Sequence, residues 1–477
     1  MNTNLFKDIE EETPEKELNV QGKLPSWLEG SLFRNGPAKY KIGEQSVNHW
    51  FDGFSMLHKF SIANGKVKYT SRFLQSDDYI RNQRTGRIKS RHFGTVQDPC
   101  ESIFHKFFSI FQLPKVSNCN VSVLKLNERI AAVSDFSTMV EFDRETLDTK
   151  GQVEFPDEFG TKYMFSASHF SYDPDTKEYY NCLGVPGPKG DFHFFKISSE
   201  DTFERKVIGK VKAPKHTYFH SVGLTKKYFI FIEQPFELNL WQLLMSRLLN
   251  KPYESCYEWK PEKGCKFHLL NRETGEIRTM QSEAFFFFHT VNCYDEGNKI
   301  IIDLCLYKDP SIIKSLYLEH VISKGVPKEQ LGTLVRITLN PDSNKVTFKE
   351  ISEEYLDLAT FDFSRSCKPY RYVYGLGFNK HTENLDVNNQ ILKIDTETGE
   401  VISRFEKGKY PSEPLFIPSP DAKSEDDGVI VTVVLDAEKC SSYLLVLDAK
   451  NLSELARAET SAMVQPGLHG MFYNDCK

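Results

Sequence analysis

The chain lacks the features by which several protein classes are recognised from sequence alone. Its 477 residues contain no uninterrupted apolar run that approaches the roughly 18 residues of a membrane-spanning helix. No Gly-x-Gly-x-x-Gly or phosphate-loop motif follows a strand-like run, and no Gly-x-Ser-x-Gly elbow is present. Nucleotide binding and serine-hydrolase chemistry therefore have no support. The net charge is only −6 at pH 7, so no nucleic-acid partner is expected.

Cysteine motifs and targeting signals are also missing. Ten cysteines are scattered without any Cys-x-x-Cys pair, which predicts reduced and mostly buried thiols. The first twelve residues are acidic and have no apolar core, so they predict neither a secretory signal nor a transit peptide. We expect a cytosolic protein, or one bound to a membrane surface without spanning it. The length fits two to four domains, or one large closed all-β unit.

Strand-forming sequence is abundant. Aromatic residues make up 13 % of the chain, with 37 Phe and 21 Tyr, and this favours strands around a large apolar interior. Runs of β-branched and aromatic residues predict strands at 228–233, 299–307 and 428–435. Two segments, 103–113 and 236–250, instead have large apolar residues over more than half of a helical circumference. They predict packing helices, or alternatively an apolar patch that docks on a bilayer.

A turn pattern recurs between the strand-like runs. An apolar residue is followed by Asp or Asn and then by polar turn residues, beginning at Phe142, Tyr172, Leu270, Leu339, Ile394 and Leu447. The last four occurrences are 69, 55 and 53 residues apart. This period is typical of four-stranded propeller blades with loop insertions. The alternative is a set of unrelated hairpins that share the same turn chemistry.

Four histidines lie at the edges of short strand-like segments, separated by up to 300 residues: His169, His220, His289 and His469. No two have the close spacing of a local metal motif, so they could share a metal only in a ring-like fold that gathers distant strand ends. His49 and His58 are the nearest rivals among the other nine histidines. Four imidazoles without a thiolate or carboxylate ligand suit Fe(II), Zn or Cu, and the sequence does not choose among these metals.

Several longer motifs, in the same order along the chain, resemble the carotenoid oxygenase family. They include Pro25-Ser-Trp-Leu-Glu-Gly-Ser-Leu-Phe-Arg-Asn-Gly-Pro, His49-Trp-Phe-Asp-Gly, Asp98-Pro-Cys, His220-Ser-Val-Gly-Leu-Thr, Tyr374-Gly-Leu-Gly and Tyr410-Pro-Ser-Glu-Pro-Leu-Phe. The chain is most similar to the animal branch, which includes the β-carotene oxygenases and the retinoid isomerase of the retinal pigment epithelium.

The resemblance implies an all-β fold, a seven-bladed β-propeller with a helical and loop cap over an axial metal site. It implies one domain over 1–477, with 1–20 as a flexible lead-in, and one Fe(II) per chain bound by the four histidines above. It further implies carboxylates that hold the imidazoles, and Glu413 in Pro-Ser-Glu-Pro matches one clearly. Asp135 and Asp362 occupy places where the family usually has Glu. His49 and His58 are not ligands in the family.

The implied activity is oxidative cleavage of a C=C bond in a carotenoid or apocarotenoid, with O₂ as co-substrate and two carbonyl products. A retinoid isomerase-hydrolase that acts on a retinyl ester is the alternative on the same scaffold. A non-catalytic propeller that binds lipophilic molecules or proteins ranks last, since all four histidines are present. Cys100, in the matching Asp98-Pro-Cys motif, suggests acylation of that thiol as one interpretation. A buried free thiol is the simpler one.

Overall fold

The computed structural model describes residues 3–97, 116–126, 128–157, 159, 165–185, 190–199, 204–213, 215–379 and 387–474. Antiparallel sheets dominate these residues, and their strands are numbered β1 to β35 in chain order. Among the described residues no helix is both long and apolar enough to cross a membrane. The all-β class expected from the sequence is confirmed.

Five separate sheets of four or five strands follow one another along the chain. The first contains β7 (Ser122–Leu126), β8 (Arg129–Val133), β9 (Val140–Phe142) and β10 (Thr149–Gln152). The second contains β11 (Phe165–Ser166), β12 (Ser171–Asp173), β13 (Glu178–Val185), β14 (Asp191–Ser198) and β15 (Lys206–Lys212). The third contains β16 (Gly223–Leu224), β17 (Tyr228–Glu233), β20 (Cys265–Asn271) and β21 (Ile277–Ser282).

The fourth and fifth sheets complete this series. The fourth contains β22 (Phe286–Glu296), β23 (Lys299–Tyr307), β24 (Thr333–Asn340) and β25 (Lys345–Tyr355). The fifth contains β26 (Asp357–Thr360), β27 (Tyr372–Gly377), β28 (Gln390–Asp395) and β29 (Val401–Phe405). In the fourth sheet β23 is buried on both faces, whereas exposed and partly buried residues predominate in β25. This gradient is expected when each sheet packs its inner strands against neighbours and leaves the outermost strand to solvent.

The two ends of the chain meet in one sheet of ten strands. It contains β30 (Lys409–Pro411), β31 (Leu415–Pro418), β32 (Gly428–Asp436), β33 (Ser441–Asp448), β34 (Glu454–Thr460), β1 (Thr13–Gly22), β6 (Lys66–Phe73), β5 (Phe54–Ala63), β2 (Gly30–Lys39) and β35 (His469–Tyr473). The arrangement is propeller-like, but the described residues form five separate blades and this larger sheet, not seven separate blades. The sheet is continuous because β1 pairs first with β6 and then, from Asn19 to Gly22, with β34.

The expectation of a flexible lead-in over 1–20 is wrong for much of that segment. Residues 13–22 form β1 inside the ten-stranded sheet, and Leu5 is fully buried in the largest core cluster. The Asp8 carboxylate accepts hydrogen bonds from the backbone N–H groups of Tyr40 and Lys41. Buried apolar contacts and paired backbone groups thus fix this segment to the body of the fold.

Four of the six recurrent Asp/Asn turns lie at equivalent places in the blades. At Asp143, Asn271 and Asp395 the side-chain oxygen accepts hydrogen bonds from the backbone N–H groups two and three residues later. Each of these turns joins the third strand of its sheet to the outermost strand. The turn after Leu339 likewise joins β24 to the outermost β25. The turn after Leu447 joins β33 to β34, which also pairs with β1, and the turn after Tyr172 joins β12 to β13, so these two are placed differently. Four of the six turns therefore hold the same place in their sheets, which favours a structural repeat over unrelated hairpins.

Short helices and two small hairpins complete the described structure. The helices are α1 (Asp77–Thr85), α2 (Leu240–Leu248), α3 (Ser311–Ser315) and α4 (Leu318–Ser323), and the hairpins are β3 (Lys41–Ile42) with β4 (Gln45–Ser46) and β18 (Phe236–Leu238) with β19 (Tyr257–Trp259). The helix predicted over 236–250 is shorter than expected, because its first residues pair as β18 and Asn239 caps α2 by accepting hydrogen bonds from Trp241 and Gln242. The helix predicted at 103–113, like Cys100, lies outside the described residues.

Candidate metal centre and substrate cavity

The four histidines predicted from the sequence converge at one point. His169 lies between β11 and β12, His220 just before β16, His289 within β22 and His469 at the start of β35. One ring nitrogen from each lies within 4.8 Å of the others. The Nε2 atoms of His169 and His289 are each 3.1 Å from the Nε2 of His469. Inner strands of different blades therefore bring together residues that are 300 positions apart.

Carboxylates are hydrogen-bonded to the Nδ1 atoms of three of these rings. The His220 Nδ1 lies 2.7 Å from Oδ1 of Asp135, and the His469 Nδ1 lies 2.8 Å from Oε1 of Glu413. Both carboxylates are therefore where the sequence interpretation placed them, next to the histidine cluster. Hydrogen bonds of this kind fix the tautomer and the direction of an imidazole ligand.

The third carboxylate is Asp357, not the predicted Asp362. The Nδ1 of His289 lies 2.6 Å from Oδ1 of Asp357, which opens β26. Asp362 instead caps the turn at Phe363–Arg365, where its side chain accepts the Ser364 N–H at 3.0 Å. Asp357 is the first residue of β26, whereas Asp362 lies beyond the end of that strand. The hydrogen bond to His289 is therefore made from the beginning of β26.

Two tyrosines that sequence reasoning missed contact the aspartates. The Tyr218 hydroxyl donates to Oδ2 of Asp135 at 3.1 Å, and the Tyr307 hydroxyl donates to Oδ2 of Asp357. Burial, reinforced by the neighbouring carboxylate, raises the pKa of both phenols well above the usual value. Both hydroxyls are therefore protonated donors at neutral pH. The only signal in the sequence for Tyr218 is its place two residues before His220.

Glu413 has a different set of partners. Its Oε2 accepts the Gly470 N–H at 2.9 Å, and the buried Arg34 guanidinium lies 3.8 Å from the same oxygen. Arg34 also donates to the carbonyl of Glu413 at 3.3 Å. A Cβ at position 470 would lie 2.7 Å from Cδ of Arg34, so glycine beside His469 leaves room for this side chain.

The charge state of the cluster follows from burial and from these carboxylates. Burial, together with the other three imidazoles, lowers the pKa of His169 far below its usual value. Burial lowers the pKa of His469 to about 4, although Glu413 opposes this. For His289 burial also favours the neutral ring, but Asp357 outweighs it and the pKa is raised. Burial opposes ionisation of Asp357 and Glu413, yet the imidazoles and other donors hold the pKa of both carboxyls below the usual value.

The nitrogen spacing fits a metal ion. A neutral imidazole that donates Nδ1–H to a carboxylate carries a lone pair on Nε2. The Nε2 atoms of His289 and His469 face each other at 3.1 Å, while the Nδ1 of each ring is engaged by a carboxylate. A cation bound to the Nε2 lone pairs of both rings would hold the two nitrogens in this position. Two nitrogens held about 2.0–2.1 Å from one ion at right angles lie about 3 Å apart.

An apolar cavity opens onto the cluster. It encloses about 170 Å³ and is lined by His220, His289 and His469 together with residues such as Phe51, Phe93, Phe288, Leu316 and Val326. Residues from the Trp50–Asp52 turn and from the loops around 92 and 118 also line it. A second cavity, of about 590 Å³, runs along the inner strands and touches His169, His289 and His469. Two cavities thus reach the cluster, and several aromatic residues line the first.

The rival histidines have other contacts. The His49 Nε2 is hydrogen-bonded to the Ile313 carbonyl at 2.8 Å, and its Nδ1 accepts the Phe51 N–H. The His58 Nδ1 lies 2.9 Å from the Tyr69 hydroxyl. In the part of the chain that the structure describes, neither belongs to a group of potential metal ligands. Both histidines thus have hydrogen-bond partners outside the cluster.

Comparisons with known proteins agree on one family. The family model described as retinal pigment epithelial membrane protein matches residues 6–474. A mitochondrial carotenoid-cleaving dioxygenase from Mustela putorius furo is 32 % identical, over 97 % of this chain and 94 % of that protein. The β,β-carotene 15,15′-dioxygenase of Gallus gallus is 31 % identical, over 98 % and 97 %. The crystal structure of cobalt-substituted Synechocystis apocarotenoid oxygenase superposes with a TM-score of 0.87 at 23 % identity, covering 99 % and 98 % of the two chains.

Proposed function

We propose, since the chain belongs to the retinal pigment epithelial membrane protein family of carotenoid oxygenases, that it is a non-haem Fe(II) dioxygenase that cleaves a C=C bond of a carotenoid or apocarotenoid to aldehyde products. The observation that carries the proposal is the cluster of four histidines, three of them anchored by carboxylates, at the base of an aromatic cavity. The names of the curated relatives support carotenoid cleavage as the reaction.

The proposed metal ligands are His169, His220, His289 and His469, for one Fe(II) per chain. Neutral imidazoles are ligands that Fe(II) accepts, although Zn and Cu accept them too. When bound there, Fe(II) would supply the activation of O₂ that oxidative cleavage requires. Asp135, Asp357 and Glu413 would keep the imidazoles in the Nδ1–H tautomer, with Nε2 directed at the metal.

The cavity wall would hold and align the polyene. Phe51, Phe93 and Phe288 form a connected aromatic surface, with ring centroids 6.1–6.2 Å apart, and the Phe288 ring lies 5.8 Å from the His220 ring. Flat apolar rings pack well against a flat conjugated chain and exclude water from it. The position of the polyene along this wall would decide which double bond lies over the metal site.

Product analysis tests the proposal. The Fe(II)-loaded protein is incubated separately with β-carotene, an apocarotenal and a retinyl ester, with and without O₂. The products are separated by liquid chromatography and identified by mass spectrometry. We expect paired aldehydes that form only with O₂. Retinol isomers formed without O₂ would instead support the isomerase-hydrolase. No turnover of any substrate, in a protein that has bound its metal, would contradict both reactions and favour a binding protein.

We also propose that the fold is a single domain and a seven-bladed propeller. The ten-stranded sheet would then count as two blades, β30 to β34 and β35-β2-β5-β6-β1, joined by the four residue pairs between β1 and β34. The shortness of that junction supports the division. Limited proteolysis that released a stable fragment would contradict a single domain.

Peripheral binding to a membrane is the last part of the proposal. Helix α2 exposes Trp241 (69 %), and Leu249 (58 %) follows its end, so this surface could insert among lipid headgroups. Sedimentation with phosphatidylcholine vesicles should be reduced by Trp241→Asp and unaffected by Phe405→Asp, an exposed apolar residue elsewhere. Equal binding by both variants would contradict the assignment. The cytosolic location stays a prediction, and some relatives are named mitochondrial.

A further inference from the structure

The second cavity connects the four-histidine cluster with the protein surface. Its lining includes three exposed residues, Glu128, Lys177 and Phe363, as well as His169 and His469 of the cluster. The cavity therefore extends from solvent to the metal site. Among the described residues that line the first cavity, by contrast, none is exposed, and all are buried or half-buried.

The wall of the second cavity is also more polar, since polar atoms form a larger part of its surface than of the first cavity's. The hydroxyls of Ser171 and Thr290 line it, and both donate to the Val222 carbonyl, at 2.7 and 3.1 Å. Their oxygen lone pairs remain available to a water molecule or a cation. An ion loses free energy when it leaves water for apolar surroundings, so a hydrated dication passes more easily along the polar wall.

The charges on this wall do not repel a cation. The charged side chains among its lining residues are two lysines and two glutamates, namely Lys125, Lys177, Glu128 and Glu413. Opposite charges of equal number leave little net field for a dication to cross. Passage then depends on the width of the cavity and on the polar groups of its wall.

His169 is the imidazole through which this cavity meets the cluster. It lines the second cavity and not the first, whereas His289 and His469 line both. His169 is half-buried, while the other three rings are buried. Among the described residues no carboxylate is hydrogen-bonded to the His169 ring, so it is less restrained than its three partners. The cluster therefore opens with least disruption on the side of the second cavity.

We propose that the metal ion enters and leaves its site through the second cavity, past His169, and that the first cavity is left to the organic substrate. The inference rests on the proposed metal centre and adds to it a route of metal exchange. Ser171 lies two residues after His169, at the beginning of β12, and a larger side chain there would narrow the route without removing a ligand. A barrier along a path leaves both end states unchanged, so it slows entry and release by the same factor and does not alter Kd.

Release of Co(II) from the metal-loaded, full-length protein tests the route. Excess chelator is added, and the loss of the visible absorption of bound Co(II) gives the rate constant of release at several chelator concentrations. A competition titration with the same chelator gives Kd, and the release rate constant divided by Kd gives the rate constant of entry. Ser171→Leu narrows the second cavity, Ser171→Ala removes the same hydroxyl without narrowing it, and Leu316→Phe narrows the first cavity.

We expect Ser171→Leu to slow release and entry about tenfold at an unchanged Kd, and Ser171→Ala and Leu316→Phe to leave both rates unchanged. A variant that disturbed the ligands would instead weaken Kd by faster release. If Ser171→Leu does this or does not fold, Ser366→Leu decides, since Ser366 lines the same cavity from the loop after β26.

The remaining outcomes overturn the inference, and they are distinguishable from failure of the proposed function. Unchanged release in the variants that narrow the second cavity would overturn the route, and slower release in Leu316→Phe alone would place the route in the first cavity. A wild type that bound no Co(II) would overturn the proposed metal centre together with the inference. Slower release in Ser171→Leu, in a protein that cleaves no carotenoid when loaded with Fe(II), would contradict the proposed reaction and support the route.

Discussion

Replacing Asp357 is the sharpest test of the candidate metal centre, because sequence reasoning selected Asp362 instead. Asp357→Ala removes the acceptor 2.6 Å from the His289 Nδ1 and leaves the Tyr307 hydroxyl without its carboxylate. A hydrogen bond to a charged group contributes about 1.5–3 kcal/mol. Loss of such an outer partner typically weakens metal binding about 10–100-fold, which corresponds to about 1.4–2.7 kcal/mol. The two ranges agree.

The assay is a competition titration of Fe(II) against a coloured chelator without O₂. We expect Asp357→Ala to weaken metal binding about 10–100-fold, and Asp357→Asn, which keeps an acceptor but not the charge, to weaken it less. Asp362→Ala is the matched control, since that carboxylate caps a turn and contacts Ser364 and Arg365. Equal affinities for Asp357→Ala and the wild type, or a larger loss in Asp362→Ala, would refute the reasoning.

Three further predictions concern neighbouring contacts. Tyr307→Phe removes a donor to Asp357 and should weaken metal binding by up to about tenfold, whereas Tyr374→Phe, whose hydroxyl binds the Ala449 carbonyl, should not; equal effects would contradict this role. Gly470→Ala places a Cβ 2.6 Å from the Phe33 carbonyl and should lower the free energy of unfolding by about 1–3 kcal/mol in urea; an unchanged midpoint would show that the strands shift freely. The pKa of Asp173 is lowered to about 2 by Lys226 and Arg272 although burial opposes this, so its stabilising contribution is complete above about pH 4 and is lost as the pH falls towards 2; Asp173→Asn should flatten that part of the acid-unfolding profile.

The recurrent Asp/Asn turns were the main evidence for blades that the residues themselves gave. Asp143, Asn271 and Asp395 form the same local hydrogen bonds in different blades, so a local rule was enough to find them. The pairing of β1 with both β6 and β34 was not predictable in this way. It joins residues near position 20 to residues near 457, and alternation within β1 does not reveal which distant strands lie on its two edges.

The site shows the same division between local and distant information. The four histidines were found because each stands in a distinctive motif. Two aspartates five residues apart were available near the fifth blade, and the choice between Asp357 and Asp362 depends on where β26 begins. The contact of Tyr307 with Asp357 could not be predicted for a similar reason. Tyr307 lies at the end of β23 in the fourth blade, and Asp357 belongs to the fifth.

The two aspartates beside the histidine cluster each accept a hydrogen bond from a tyrosine hydroxyl. Asp135 and Asp357 are one methylene shorter than Glu413, yet each still lies within hydrogen-bonding distance of its imidazole. In both cases the second carboxylate oxygen accepts a hydrogen bond from a tyrosine hydroxyl, that of Tyr218 or Tyr307. Glu413, the longer side chain, has a backbone N–H and Arg34 as its other partners. The shorter side chains are thus accompanied by an added donor that fixes their direction.

The strand that brings the end of the chain next to β2 also completes the four-histidine cluster. His469 is the first residue of β35, where it pairs with Asn35 of β2. The Asn35 side chain donates to the carbonyls of Cys119 and Ser122, and the His469 N–H donates to the Val121 carbonyl at 3.2 Å. The strand that joins the two ends of the chain therefore also delivers the fourth imidazole. Until those ends meet, the other blades can place only three. A metal that needs all four histidines would bind the closed ring and not the open one, and would therefore stabilise the closed fold.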